Sequence, residues 1–152
     1  NNMSFFKFRL QKILEHRENE ENIEKGNYAK AQIELEKELN ELDRLNKLRD
    51  FTVKEKQEQS KQIVVVNNLK LYNMYLNNIN KKIEIQEQKV KQAKKKAEEA
   101  REVLISAMKE RKIMENLKMR DYSEYLYEQK KEEEKVTDQF VSYSSSTNIA
   151  GD

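Results

Sequence analysis

Residues 76–107, LNNINKKIEIQEQKVKQAKKKAEEAREVLISA, decide the fold. Leu76, Ile79, Ile83, Val90, Ala93, Ala97, Ala100, Leu104 and Ala107 recur at alternating steps of three and four, and Gln86 fills the one gap. Such spacing puts two seam positions per heptad on one side of an α-helix, where they face a partner helix. Nothing around the stretch interrupts it, because the chain has no proline and Gly26 is the only glycine before Gly151. A chain written this way makes long helices rather than pockets.

Upstream, a second frame runs through Leu10, Leu14, Arg17, Glu21, Glu24, Tyr28, Ala31, Leu35, Glu38, Leu42, Leu45 and Arg49. Its second half is a convincing seam, reinforced by Leu39 and Leu48. Its first half carries charged residues at seam positions, which predicts loose or polar packing there. Gly26 costs this stretch about 1 kcal/mol relative to alanine. The opening around Phe5, Phe6 and Phe8 can start a helix with Ser4 as N-cap. Met3 is the expected start, and Asn1 and Asn2 stand outside the reading.

Between the frames, 52–62 is polar, Ile63–Val66 is β-branched, and Asn67-Asn68 follows. β-branching disfavours helix weakly and paired asparagines favour turns. The chain is therefore expected to reverse within about 58–66, although no glycine or proline marks the place. Downstream the frame holds to about Met114, and Val136 and Phe140 close the helix. Ser142–Asp152 contains four serines and is expected to be disordered.

Charge chooses the orientation. Residues 15–43 hold ten acidic side chains and four Lys/Arg, whereas 81–101 hold eight basic and four acidic. A reversal near residue 62 lays one against the other, while a parallel homodimer stacks like charge on like. Each exposed pair contributes only a few tenths of a kcal/mol, but together they favour the antiparallel pairing. The expected fold is all-α: one long antiparallel two-helix coiled coil over 3–141, with helix 1 about 5–57, a connector about 58–66, helix 2 about 67–140 and a disordered tail over 142–152. The arms are unequal, so the last 20 or so residues of helix 2 project past helix 1 and form an aromatic-rich end.

Composition excludes much else. With 36% hydrophobic and 38% charged residues there is too little apolar surface for a compact globule, yet enough for a narrow seam. The longest apolar run, Ile63–Val66, is too short for a transmembrane helix. Thirty basic and 28 acidic residues nearly cancel, so no overall charge argues for nucleic acid. Lys94–Lys96 reads as a solvated face beside Glu98 and Glu99. Without cysteine there is no thiolate site or disulfide, and the expected compartment is the cytosol. The single histidine, His16, sits on a charged stretch. Paired carboxylates need a desolvated cleft for acid–base work, which a two-helix rod does not offer. The expectation is a non-enzyme with no cofactor and no metal. Helix 1 alone can bury one or two of the rings of Phe5, Phe6 and Phe8, so an exposed ring there predicts a partner site.

Three short motifs, in order, carry a resemblance. They are Phe6-x-Phe8-x-Leu10 followed by Ile13-Leu14 and Arg17; Tyr72-x-x-Tyr75-Leu76-x-x-Ile79-x-x-x-Ile83; and Val136-x-Asp138-x-Phe140. Together they resemble the FliJ family, small coiled-coil proteins of the bacterial flagellar type III export apparatus. The resemblance implies a hairpin similar to the gamma stalk of rotary ATP synthases. It implies that the end carrying both termini enters the hexameric ring of the export ATPase FliI and promotes its assembly. It also implies contact with the cytoplasmic region of the export gate protein FlhA, binding of export chaperones, and peripheral placement at the inner membrane through those partners. Carried onto this chain, the ring-contact candidates are Phe5, Phe8, Leu10, Leu14, Arg17, Tyr125, Val136 and Phe140. The gate-contact candidates are Tyr75, Ile79, Lys82 and Gln86, the last two departing from the residues of some relatives. The alternative is a purely structural coiled-coil scaffold or dimerisation rod with no export role.

Overall fold

The computed structural model of the chain describes residues 6–62 and 66–150. Two helices make up the described chain: α1, Gln11–Ser60, and α2, Val66–Ala150. They pack against each other as an antiparallel helical hairpin coiled coil, and the described chain has no strand. The contacts group into two units, Asn22–Ser106 and Asn1–Glu21 with Ala107–Asp152.

In the unit Asn22–Ser106, the seam follows the three-four frame of both helices. Ile79, Ile83, Gln86, Val90, Ala93 and Ala97 are buried, and Leu76, Ala100 and Leu104 are half-buried. From α1, Leu45 and Thr52 are buried, while Tyr28, Ala31, Leu35, Glu38, Leu42 and Arg49 are half-buried. The tightest packing is Leu45 with Ile79 and Ile83, closed at the sides by Leu42 and Leu48. Burying each such side chain contributes roughly 1.5–3 kcal/mol, so this cluster anchors the unit. Leu39, read from sequence as a reinforcement, is instead exposed, because it stands one position off the frame.

Charge lies along one flank of this seam. Glu34 and Glu41 precede the seam residues Leu35 and Leu42 on α1, and Lys82, Lys89 and Lys96 precede Ile83, Val90 and Ala97 on α2. Positions of this type face each other across an antiparallel pair and set its orientation. The Glu41 carboxyl is held below its ordinary pKa, first by its hydrogen bond from Arg44 and in the same direction by Lys89 and Lys82 of α2. Near the turn, the Lys56 ammonium donates to the Asn73 side-chain oxygen at 2.6 Å. The residue numbers of cross-helix partners add to 124 for Glu38 with Gln86 and to 129 for Lys56 with Asn73, near twice the expected reversal point of about 62.

In the unit Asn1–Glu21 with Ala107–Asp152, α1 starts later than expected. The Gln11 amide donates to the Phe8 carbonyl at 3.1 Å, and the Leu14 amide to Leu10 at 3.0 Å. Phe8 and Leu14 are buried. Ser4, the expected N-cap, lies outside the described residues. At its other end α1 closes by short turns, Lys61 N to Glu58 O and Gln62 N to Gln59 O, both 3.3 Å, the tightening common at helix ends. Residues 63–65 of the expected connector lie outside the described residues.

The tail departs from expectation most. Helix α2 does not close at Phe140 and residues 142–150 are not disordered: the helix runs on to Ala150. Residues 128–135 are Glu, Gln and Lys, all strong helix formers. Beyond them the serines rank only mid-scale, but neither glycine nor proline supplies a stop before Gly151. Thr137 and Thr147 turn their hydroxyls inward to the carbonyls of Glu133 and Tyr143, 2.9 Å each.

Gly26 sits in mid-helix with nothing within 4 Å of the place where a Cβ would stand. Gly26→Ala should therefore raise unfolding free energy by about 0.5–1 kcal/mol, measured by urea denaturation. A loss of stability would show that the position needs glycine for another reason.

Candidate functional site

The candidate site is the terminal unit, and its geometry starts from two aromatic contacts. The Phe6 ring centroid lies 5.3 Å from that of Tyr122 and 5.5 Å from that of Tyr125, tilted 56° and 43°. Tilted pairs at this separation contribute about 0.5–1.5 kcal/mol each beyond burial. The Lys118 ammonium donates to the Gln11 side-chain oxygen at 2.9 Å. Phe6, Lys7, Phe8, Gln11 and Lys118 line an open groove of about 410 Å³.

Behind the aromatics the seam turns ionic. Glu21 is buried and accepts from the Arg111 guanidinium, which also reaches Glu115 at 2.7 Å. These bonds, Glu21 first and Glu115 second, push the Arg111 pKa up. Arg17 sits beside this pair, bonding Glu20 at 3.1 Å and Glu110 at 2.7 Å. The expectation of polar packing here is met, but the packing is not loose, since Glu21 and Leu14 are both buried. The residue numbers of these cross-helix partners add to 132 for Glu21 with Arg111 and to 127 for Arg17 with Glu110.

Past Leu126 the character changes. From Tyr127 to Tyr143 every residue of α2 is exposed. Tyr122, Leu126, Val136, Phe140 and Tyr143 nevertheless keep the three-four spacing of a seam flank, interrupted by Gln129 and Glu133. Val136 is 61%, Phe140 70% and Tyr143 72% exposed. A helix that leaves Val136, Phe140 and Tyr143 uncovered at this spacing has the form of a helix-in-groove ligand.

The sequence-derived ring candidates thus divide. Phe5 lies outside the described residues. Phe8 and Leu14 are buried, Leu10 is half-buried, and Arg17 is engaged in ion pairs within the unit. Tyr125 is half-buried against Phe6. Val136 and Phe140 remain available. Two residues escaped the sequence reading. Tyr143 falls in the stretch expected to be disordered, although its spacing from Phe140 and Val136 carries the signal. Arg111 follows Ala107 in the seam frame and faces Glu21, a pairing that only the register reveals.

The gate candidates belong to the other unit, and they divide too. Tyr75 is 47% exposed and Lys82 is exposed, but Ile79 and Gln86 are buried in the seam. Ile79 packs on Leu45, and Gln86 donates to the Glu38 carbonyl at 2.9 Å. Tyr75 does line a concave surface with Tyr72, Leu71, Asn68 and, from α1, Gln59.

The family model described as "Flagellar FliJ protein" matches residues 6–149. The chain belongs to the FliJ family. Among curated proteins and solved structures nothing matches it. Membership makes the chain a component of the flagellar export apparatus, in a family that is structural rather than catalytic. The FliJ match takes in both the aromatic groove at Phe6 and the exposed stripe at Phe140. No helix among the described residues is long and apolar enough to cross a membrane. No group of carboxylates and histidine among them is placed to hold a metal ion.

The buried ion pair makes a sharp prediction. Arg111→Leu removes the guanidinium from the buried Glu21 carboxylate and should lower stability, whereas Glu21→Leu with Arg111→Leu should recover most of the loss. Urea melts of both variants measure the difference. Equal losses in the single and double variants would mean that the pair itself, rather than the buried charge left behind, carries the energy.

Proposed function

We propose that this chain is the stalk-like component of a flagellar type III export apparatus. Its terminal unit binds the ring of the export ATPase and promotes ring assembly. Its turn-side unit links that ring to the cytoplasmic region of the export gate protein. The same exposed faces escort export chaperones between them. The protein works at the cytoplasmic face of the inner membrane, held there peripherally by these partners.

The observation that carries this reading is the exposed face of Val136, Phe140 and Tyr143 on a helix that has lost its partner. Exposed rings of this kind have a solvation cost of order 1–2 kcal/mol each that a complementary groove would remove. The family match supplies the apparatus in which that groove is sought. For the gate, the support is narrower. Tyr75 and Lys82 are the two candidates on the open surface, and Tyr75 borders the concave surface at Gln59 and Tyr72. Ile79 and Gln86 serve such a contact only indirectly, by holding the helix that presents Tyr75.

Purified protein should raise the ATP hydrolysis rate of its cognate export ATPase and shift that enzyme toward hexamers. Val136→Ala with Phe140→Ala should weaken the effect about tenfold or more while leaving helicity unchanged, because both side chains are exposed. Tyr75→Ala should spare ATPase stimulation and reduce binding to the gate protein's cytoplasmic domain. A wild-type protein that neither stimulates the ATPase nor binds the gate domain contradicts the proposal.

A further inference from the structure

Most of what holds the unit Asn22–Ser106 together repeats every seven residues. The flanking acids Glu34 and Glu41 are seven apart, and so are Lys82, Lys89 and Lys96. If α2 slides along α1 by one heptad, each glutamate exchanges one lysine for the next. The small seam residues Ala93, Ala97 and Ala100 accept the same shift. The turn adds little discrimination, since no glycine or proline lies between Gly26 and Gly151 to fix a particular reversal. A seam like this leaves register undetermined unless one layer differs from the rest.

One layer does. Gln86 is 5% exposed, and its side-chain amide donates both to the Glu38 carbonyl, at 2.9 Å, and to the Glu38 carboxylate. We infer that the Gln86–Glu38 layer is the register lock of the hairpin. It selects one alignment of α1 on α2 from a set that the charged flank leaves nearly equal. Slid by seven residues one way, Gln86 faces Ala31; slid the other way, it faces Leu45. Neither offers a side-chain acceptor, and a buried amide without one disfavours that register by roughly ten- to a hundredfold. The lock has a structural consequence within the same unit. The concave surface of Gln59, Asn68, Leu71, Tyr72 and Tyr75 draws on both helices, so it exists in only one register. A partner that released Gln86 from Glu38 would dismantle that surface. Conversely, a partner seated on it would hold the lock shut.

The test places spin labels at two exposed sites away from the layer, Lys30→Cys and Lys81→Cys, in the full-length chain. Wild type should give one interlabel distance. Gln86→Leu should raise the melting temperature, because a leucine suits the seam, and should add a second distance population. One heptad of sliding moves the labels about 10 Å along the helix axis. Glu38→Gln keeps a side-chain acceptor and should retain the single wild-type distance. A single unshifted distance in Gln86→Leu, or a lowered melting temperature, overturns the inference.

Discussion

The structure depends on one constraint: each helix has a single narrow apolar face, and that face must be covered by the other helix. With little apolar surface to spare, neither helix has a second face with which to build a core. Burial therefore concentrates in one seam, with Leu45, Ile79 and Ile83 as its tightest point. Where α1 supplies a partner, α2 buries its frame; where it does not, the apolar residues flanking that frame are left facing water. α1 has 50 residues and α2 has 85. That inequality separates the part of α2 that packs on α1 from the part left exposed.

Polar residues inside the seam then take on the work of specificity. Leucine at Glu21, Arg111 or Gln86 would match the three-four pattern and bury more apolar area. The buried Glu21–Arg111 pair and the Gln86–Glu38 layer each leave every buried side-chain polar atom partnered among the described residues. Such layers contribute little net stability but penalise every arrangement in which a partner is missing. A seam of alanines and periodic charges would otherwise tolerate several alignments.

Most of the fold was legible in the sequence because a coiled coil writes its contacts as a period. Every seam position from Leu10 to Arg49 and from Leu76 to Ala107 is buried or half-buried. The antiparallel orientation was legible too, since opposite net charge lies on the two helices. Three things were not. The end of α2 is one, because serine content alone does not stop a helix, and neither glycine nor proline intervenes before Gly151. The site was only half legible: the seam frame holds Ile79 and Gln86 and leaves Tyr75 one position off it, but no spacing shows that Tyr75 borders a concave surface shared with Gln59 of α1. The Arg111–Glu21 pair was hidden because its partners are 90 residues apart.

The terminal stretch of α2 carries the central claim, that a helix face unpartnered within the chain is the docking element for the export ATPase. Amide hydrogen exchange across 128–147, measured for the protein alone and again with the cognate ATPase, tests it most directly. Alone, these amides should exchange far faster than those of 79–97, because helix without tertiary packing opens readily. With the ATPase they should gain at least tenfold protection. Slow exchange in the isolated protein, or no gain in protection with the ATPase, would contradict the account.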